Sequence, residues 1–136
     1  MPFVIDSSVA LASVLPDEDN SSARAVLLRS DHDMMVVPII WPLEVLNGIL
    51  SAVRRGRMAE SALPGTLDAL LFLPVHADAP PDDHALRTIM RLGRKYQLTA
   101  YDASYIECAA RNEIPFATLD KRLRAAAIKQ GIDVLL

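Results

Sequence analysis

Four acidic residues fall at positions where a carboxylate could serve one polar crevice: Asp6 in Phe3-Val4-Ile5-Asp6-Ser7-Ser8, Glu44 behind Trp41-Pro42-Leu43, Asp102 in Thr99-Ala100-Tyr101-Asp102, and Asp120 after Ala117-Thr118-Leu119. Carboxylates gathered closely repel one another unless shared protons or a cation offset the charge, and hard divalent ions such as Mg2+ or Mn2+ take oxygen ligands of this kind. The pattern points to a metal site. A divalent ion in such a site lowers the pKa of water and neutralises charge on an attacked phosphate.

The elements around these acids explain how they could meet. Phe3 to Ile5 is a short apolar run followed by a Ser-Ser pair and then Val9-Ala10-Leu11-Ala12, which predicts a strand feeding a capped helix with Asp6 at the junction. Pro16 to Asn20 is a polar break, and Ala23, Val26 and Leu27 have helical spacing. Met34 to Val37 predicts a second strand. Pro42 suits the first turn of a helix running to about Arg55, with Gly56 ending it and Glu44 in its opening turns. A further helix is expected from about Ala59 to Leu71, then a strand over Phe72 to Val75, with Pro80-Pro81 as a rigid turn.

Leu86, Ile89, Met90 and Gly93 set one helical face, and Arg87, Arg91, Arg94 and Lys95 cluster on another. Thr99 to Asn112 predicts a helix, Pro115 to Thr118 a strand, Lys121 to Gln130 a helix, and Asp133 to Leu136 a final strand. Short apolar strands alternating with helices imply an α/β domain with a mostly parallel sheet covered on both faces. Ligands bind such sheets beyond the carboxyl ends of the strands, where strand order reverses. Asp6 and Asp120 follow strands directly, and Glu44 and Asp102 come early in helices, so all four are expected on that rim.

At 136 residues, 51% hydrophobic and 23% charged, the chain suits one globular domain spanning residues 1–136. The lone Cys108 cannot form an internal disulfide, there is no zinc-type spacing, and no signal-peptide pattern or membrane-length apolar run is present. A reducing cytoplasm is the expected setting. The net charge of −3 argues at first against nucleic acid. Setting the four acids aside as a cation site leaves the rest of the chain at +1, so an RNA partner stays open.

Singly, the acids have structural explanations. Asp6 and Asp120 could cap the helices that follow them, and Thr99 with Asp102 has the spacing of a capping box. Glu44 is harder to explain this way, because Leu43, Val45, Leu46, Ile49 and Leu50 surround it and only Asn47 and Gly48 share its side. Buried there without a cation or partner, it would be costly.

Jointly, the four blocks around Asp6, Glu44 with Asn47, Asp102 and Asp120 resemble the successive motifs of PIN-domain ribonucleases, specifically the VapC-type toxins of toxin–antitoxin pairs. The resemblance spans nearly the whole chain, carries no motif between Arg55 and Gln97, and shows no missing acid. It implies a three-layer α/β/α PIN-like domain with about five strands that uses Mg2+ or Mn2+ to cut RNA. It also implies a VapB-type antitoxin, pairing into a homodimer, and Asp6, Glu44, Asp102 and Asp120 as the acidic site. Ser8, Thr118 and Asn47 match supporting polar positions. Asp6 and Asp102 are the expected direct ligands, with Glu44 and Asp120 acting through water or orienting the nucleophile.

Other readings fit less well. A phosphoacceptor signalling domain would want adjacent acids after the first strand, but Ser7 follows Asp6; a D-x-D phosphatase would want an acid where Ser8 stands. A non-catalytic binding module would keep the acids for folding alone. The Arg87, Arg91, Arg94 and Lys95 set reads first as a solvated helix face. His32, His76 and His84 lack ligand spacing, and Cys108, Trp41 and the Leu63, Leu67, Leu70 and Leu71 set read as core.

Overall fold

The computed structural model describes residues 1–16 and 21–136; positions 17–20 of the expected polar break lie outside them. Strand β1 (Phe3–Ile5) is wholly buried, as a strand covered on both faces must be, and leads at once into α1 (Ser7–Val14). Helix α2 (Ser21–Leu28) and a short 3-10 turn lead to β2 (Met35–Val37), followed by α3 (Trp41–Arg54) and α4 (Leu63–Leu71). Then come β3 (Val75–Ala77), α5 (Asp83–Tyr96), α6 (Ala100–Asn112), β4 (Phe116–Ala117) and α7 (Lys121–Lys129).

The sheet is parallel throughout, in the order β3-β2-β1-β4. Its chain path steps outward from β1 to β2 to β3 and then returns to the far side of β1 for β4. Strand order therefore reverses between β1 and β4, and their carboxyl ends open the crevice where α/β sheets bind ligands. Helix α1 packs against α2, α3 and α4, while α5 packs on α6 and α6 on β1 and β4, giving three layers, α/β/α. Two glycines matter to this arrangement. Gly56, with φ of 72°, takes the left-handed turn after α3, and a Cβ at Gly48 would sit 2.5 Å from the end of the Leu11 side chain, which would have to turn aside to admit it.

Two expectations are corrected. Among the described residues the sheet has four strands, not about five: the segment from Asp133 makes only an isolated bridge between Phe116 and Val134. With β4 two residues long, one ladder step is all it can offer on that side. The third strand begins at Val75, three residues later than expected, because Phe72 caps α4 and is 86% exposed. Being an edge strand with His76 and Ala77 exposed, β3 lacks the apolar run of a central strand.

Candidate acidic active site

Asp6 occupies the turn between β1 and α1 and is almost fully buried. Its Oδ1 accepts from Ser8 Oγ at 2.5 Å and from the Val9 backbone N–H at 3.3 Å, and its Oδ2 accepts from the Thr118 hydroxyl. Asp6 thus does cap α1, as its local sequence allows, but the cap uses one oxygen. Every donor to it is neutral. Burial, the largest influence, outweighs these bonds and pushes its pKa up to about 6. The backbone is held too: Trp41 Nε1 donates to the Asp6 carbonyl at 3.2 Å, so the buried indole ties the start of α3 to this turn.

The β4 side is stitched to the same place. The Leu119 N–H donates to Ser8 Oγ at 2.9 Å, and the Asp120 N–H to Thr118 Oγ1 at 3.0 Å. Asp120 caps α7 through Oδ1 alone, which accepts from the Arg122 and Leu123 N–H groups at 2.9 and 3.1 Å. Its other oxygen has no hydrogen-bond donor among the described residues.

Asp102 lies in the first turn of α6, where the Thr99 hydroxyl performs the capping by accepting from the Asp102 N–H at 3.1 Å. Burial and then the neighbouring Asp120 charge raise the Asp102 pKa, with Thr99 and Arg122 opposing. Glu44 is half-buried in the first turn of α3, its pKa raised by burial and by the Asp102 charge and restrained by a hydrogen bond from Tyr105. Glu44, Asn47 and Tyr101 line one small crevice with Ile40 and Leu43. The apolar enclosure expected for Glu44 is looser than its sequence suggests, because Leu43, Leu46 and Leu50 face solvent while Val45 and Ile49 are buried.

One contributor carries no charge and was not singled out by its sequence. Tyr105 is wholly buried, its ring lies stacked near Phe116, and its Oη donates to Glu44 Oε1 at 2.5 Å. Burial, Glu44, Asp6 and Asp102 all push its pKa upward, which places its hydroxyl among three of the acids. The signal available was position: Tyr105 follows Asp102 by one helical turn and so shares its face.

Three of the four carboxylates are linked by mutual repulsion, Glu44 with Asp102 and Asp102 with Asp120, while Asp6 is linked to the set through Tyr105, which feels the charges of Glu44, Asp6 and Asp102. Among the described residues no three acidic, histidine or cysteine side chains are grouped closely enough to hold a metal ion between them. An ion such as Mg2+, which keeps several waters and takes one or two carboxylates, suits this open rim better than a dehydrated cage would. The donor set is all hard oxygen, and the buried Asp6 has no basic partner among the described residues, so the residues fit a hydrated divalent cation.

Elsewhere, burial and then Asp78 push the Cys108 thiol up to about 12, so it stays protonated in the core. Trp41 and Leu70 are core residues as expected, but Leu67 and Leu71 are exposed.

The fold is a three-layer α/β/α domain whose parallel sheet carries Asp6 and Asp120 where strand order reverses between β1 and β4. Residues 3–129 match the PIN domain family, and the chain belongs to it. No curated protein matches the sequence. Among solved structures, PAE2754 from Pyrobaculum aerophilum is similar over 99% of this chain and 90% of its own, with a TM-score of 0.73 at 21% identity. VapBC2 from Rickettsia felis, bound to a DNA fragment from its promoter, matches over 98% and 97% with a TM-score of 0.69 at 11% identity. FitAcB from Neisseria gonorrhoeae matches over 98% and 96% with a TM-score of 0.58 at 17% identity. At these identities the likeness is one of fold.

Proposed function

We propose that this protein is an endoribonuclease dependent on Mg2+ or Mn2+ and the toxin of a type II toxin–antitoxin pair, acting in the cytoplasm. The observation that carries the reading is Asp6: a buried carboxylate held only by neutral donors, at the strand-order reversal of a PIN domain, with Glu44, Asp102 and Asp120 on the same rim. A bound divalent ion would neutralise charge on the attacked phosphodiester and make water a better nucleophile. Asp6 and Asp102 would hold it directly.

The chain's own groups do the rest. Ser8 and Thr118 fix the Asp6 carboxylate by donating to opposite oxygens. Tyr105 occupies Glu44 Oε1, leaving Oε2 to accept a proton from the attacking water, and its raised pKa makes Glu44 a better base than an ordinary carboxylate. Asp120 keeps one oxygen clear of its helix cap, and Asn47 lines the Glu44 crevice where a substrate hydroxyl or phosphate oxygen can be bound. Hydrolysis then breaks one P–O bond of the RNA backbone as water adds to phosphorus.

Exposed apolar side chains supply the surfaces that an antitoxin of the VapB type and a second copy of the chain need. Leu43, Leu46 and Leu50 form a ridge on α3, and Leu67, Leu71 and Phe72 cluster on α4 and its end. Among the described residues no helix is long and apolar enough to cross a membrane. Incubating purified protein with RNA in Mg2+ and in EDTA tests the reading: cleavage in the first and none in the second is expected, and cleavage that survives chelation refutes it.

A further inference from the structure

Eight of the chain's 14 basic side chains fall in two runs without a single acid, residues 84–97 and 121–130. In a chain of net charge −3, such segregation leaves two strongly positive helices, α5 and α7. The structure brings the end of α5 against α7. Tyr96 Oη donates to Gln130 Oε1 at 2.7 Å, and Arg122 Nη2 donates to the Gln97 carbonyl at 2.9 Å, joining both ends of α7 to the end of α5.

The cations of α5 lie on one exposed face rather than turned apart from its apolar residues. Arg87, Arg91, Arg94 and Lys95 line a single groove together with Leu86 and Met90, which are 52% and 70% exposed. The sequence expectation had placed the bases and these apolar residues on different faces. Spacings of four, three and one residues run the bases along one side of the helix, with Arg87 and Arg94 about 10 Å apart. Arg87, Arg91 and Arg94 make no ion pair or hydrogen bond among the described residues, whereas Arg111 is fully engaged by Asp78 and Glu107. A free, acid-less row of guanidinium groups is available to phosphate.

The row continues to the acidic rim. Lys95 also borders the adjoining groove, which it shares with Arg122 and Lys129. Arg122 in turn stands two residues after Asp120, whose carboxylate accepts its backbone N–H. Lys95 thus links the groove of Arg87, Arg91 and Arg94 to Arg122, which neighbours Asp120 and whose charge reaches Asp102.

We propose that this strip, from Arg87 through Arg91, Arg94 and Lys95 to Arg122, is the track on which single-stranded RNA lies as its backbone is delivered to the acidic crevice. The inference rests on the nuclease reading. The bases neutralise phosphates upstream of the site, where the carboxylates themselves would repel RNA, and the exposed Leu86 and Met90 offer apolar contact to unstacked bases between the cations. This reconciles an acidic protein with a polyanionic substrate.

The test is binding of a fluorescent single-stranded RNA oligonucleotide in EDTA, across a salt series, by wild type and by an Arg87→Gln, Arg91→Gln, Arg94→Gln triple variant. All three residues are exposed, and a thermal melt checks that the variant folds. Loss of three phosphate contacts should weaken binding roughly tenfold to a hundredfold near 0.1 M salt and reduce the slope of log affinity against log salt by about 2. The matching Arg→Lys triple variant should restore most of that slope. With Mg2+ present, the Gln variant should show a raised KM and an unchanged kcat. Equal affinity and slope in wild type and Gln variant overturn the track, as does a defect confined to self-association or to protein partners. Failure of the nuclease reading is separate: it appears as wild type that does not cut RNA in Mg2+, whatever the slope in EDTA.

Discussion

Tyr105 and Glu44, 61 residues apart in sequence, are joined by a 2.5 Å hydrogen bond from the phenolic Oη to Oε1. It links the first turn of α3 to α6 and leaves Glu44 one free oxygen. The donor is neutral, so it fixes the direction of the carboxylate without cancelling its charge. A basic partner would have made Glu44 a structural ion pair; a phenol leaves it as an anion for a cation or a proton.

Tyr105→Phe should therefore impair catalysis more than folding. The ring still packs near Phe116, and loss of one hydrogen bond should lower stability by about 1 kcal/mol. Because the phenol favours the ionised form of Glu44, its removal should raise the Glu44 pKa further, and the acid limb of the kcat/KM profile should move to higher pH. An unshifted limb with unchanged rate would show that Tyr105 serves packing alone.

Glu44→Gln keeps the shape and can still accept from Tyr105, but it removes the charge. RNA cleavage should fall by roughly a hundredfold or more while the melting temperature changes little. Both quantities should be measured on one preparation. Near-normal activity per folded molecule would remove Glu44 from the site.

Asp102→Asn should abolish cleavage and growth inhibition while leaving a folded protein, because the helix start is capped by Thr99 and not by the Asp102 carboxylate. Relief of repulsion from Asp120 and Glu44 should leave metal-free stability equal or higher. Full activity at normal Mg2+ concentration would exclude Asp102 as an essential ligand.

The central strand β1 and the acids after β1 and β4 were legible because buried parallel strands are apolar runs and the switch point sits at their ends. Other features depend on tertiary placement. The edge strand β3 has no buried run to reveal it, and the last expected strand shrinks to one bridge because β4 is so short. Helical spacing suggested an apolar face through Leu86 and Met90, yet Ala85, Ile89 and Leu92 are the buried residues of α5. Periodicity locates a stripe but cannot say which edge of it meets the core. Tyr105 was hidden for a different reason: a buried aromatic looks like core, and only the fold brings its hydroxyl to Glu44.

The last prediction concerns pH and metal together. The Asp6 pKa rises from 3.8 to about 6 on folding, so between these values the folded protein holds a proton that the unfolded chain has released. In EDTA, stability should then fall as pH rises through this window, by on the order of 3 kcal/mol from Asp6 alone, with the loss complete above about pH 6. The raised pKa values of Glu44 and Asp102 act in the same direction. Asp33 and Asp78, whose pKa values are lowered by the N-terminal amine and by Arg111, work oppositely, but only as pH drops below the ordinary carboxylate range. A divalent ion binds the ionised carboxylates, so Mg2+ should raise the melting temperature far more at about pH 8 than at about pH 5. Thermal melts in EDTA and in Mg2+ at both pH values decide it. An equal Mg2+ shift at both, or metal-free stability that climbs from the lower pH to the higher, would show that the buried Asp6 is neither strained by its charge nor relieved by an ion.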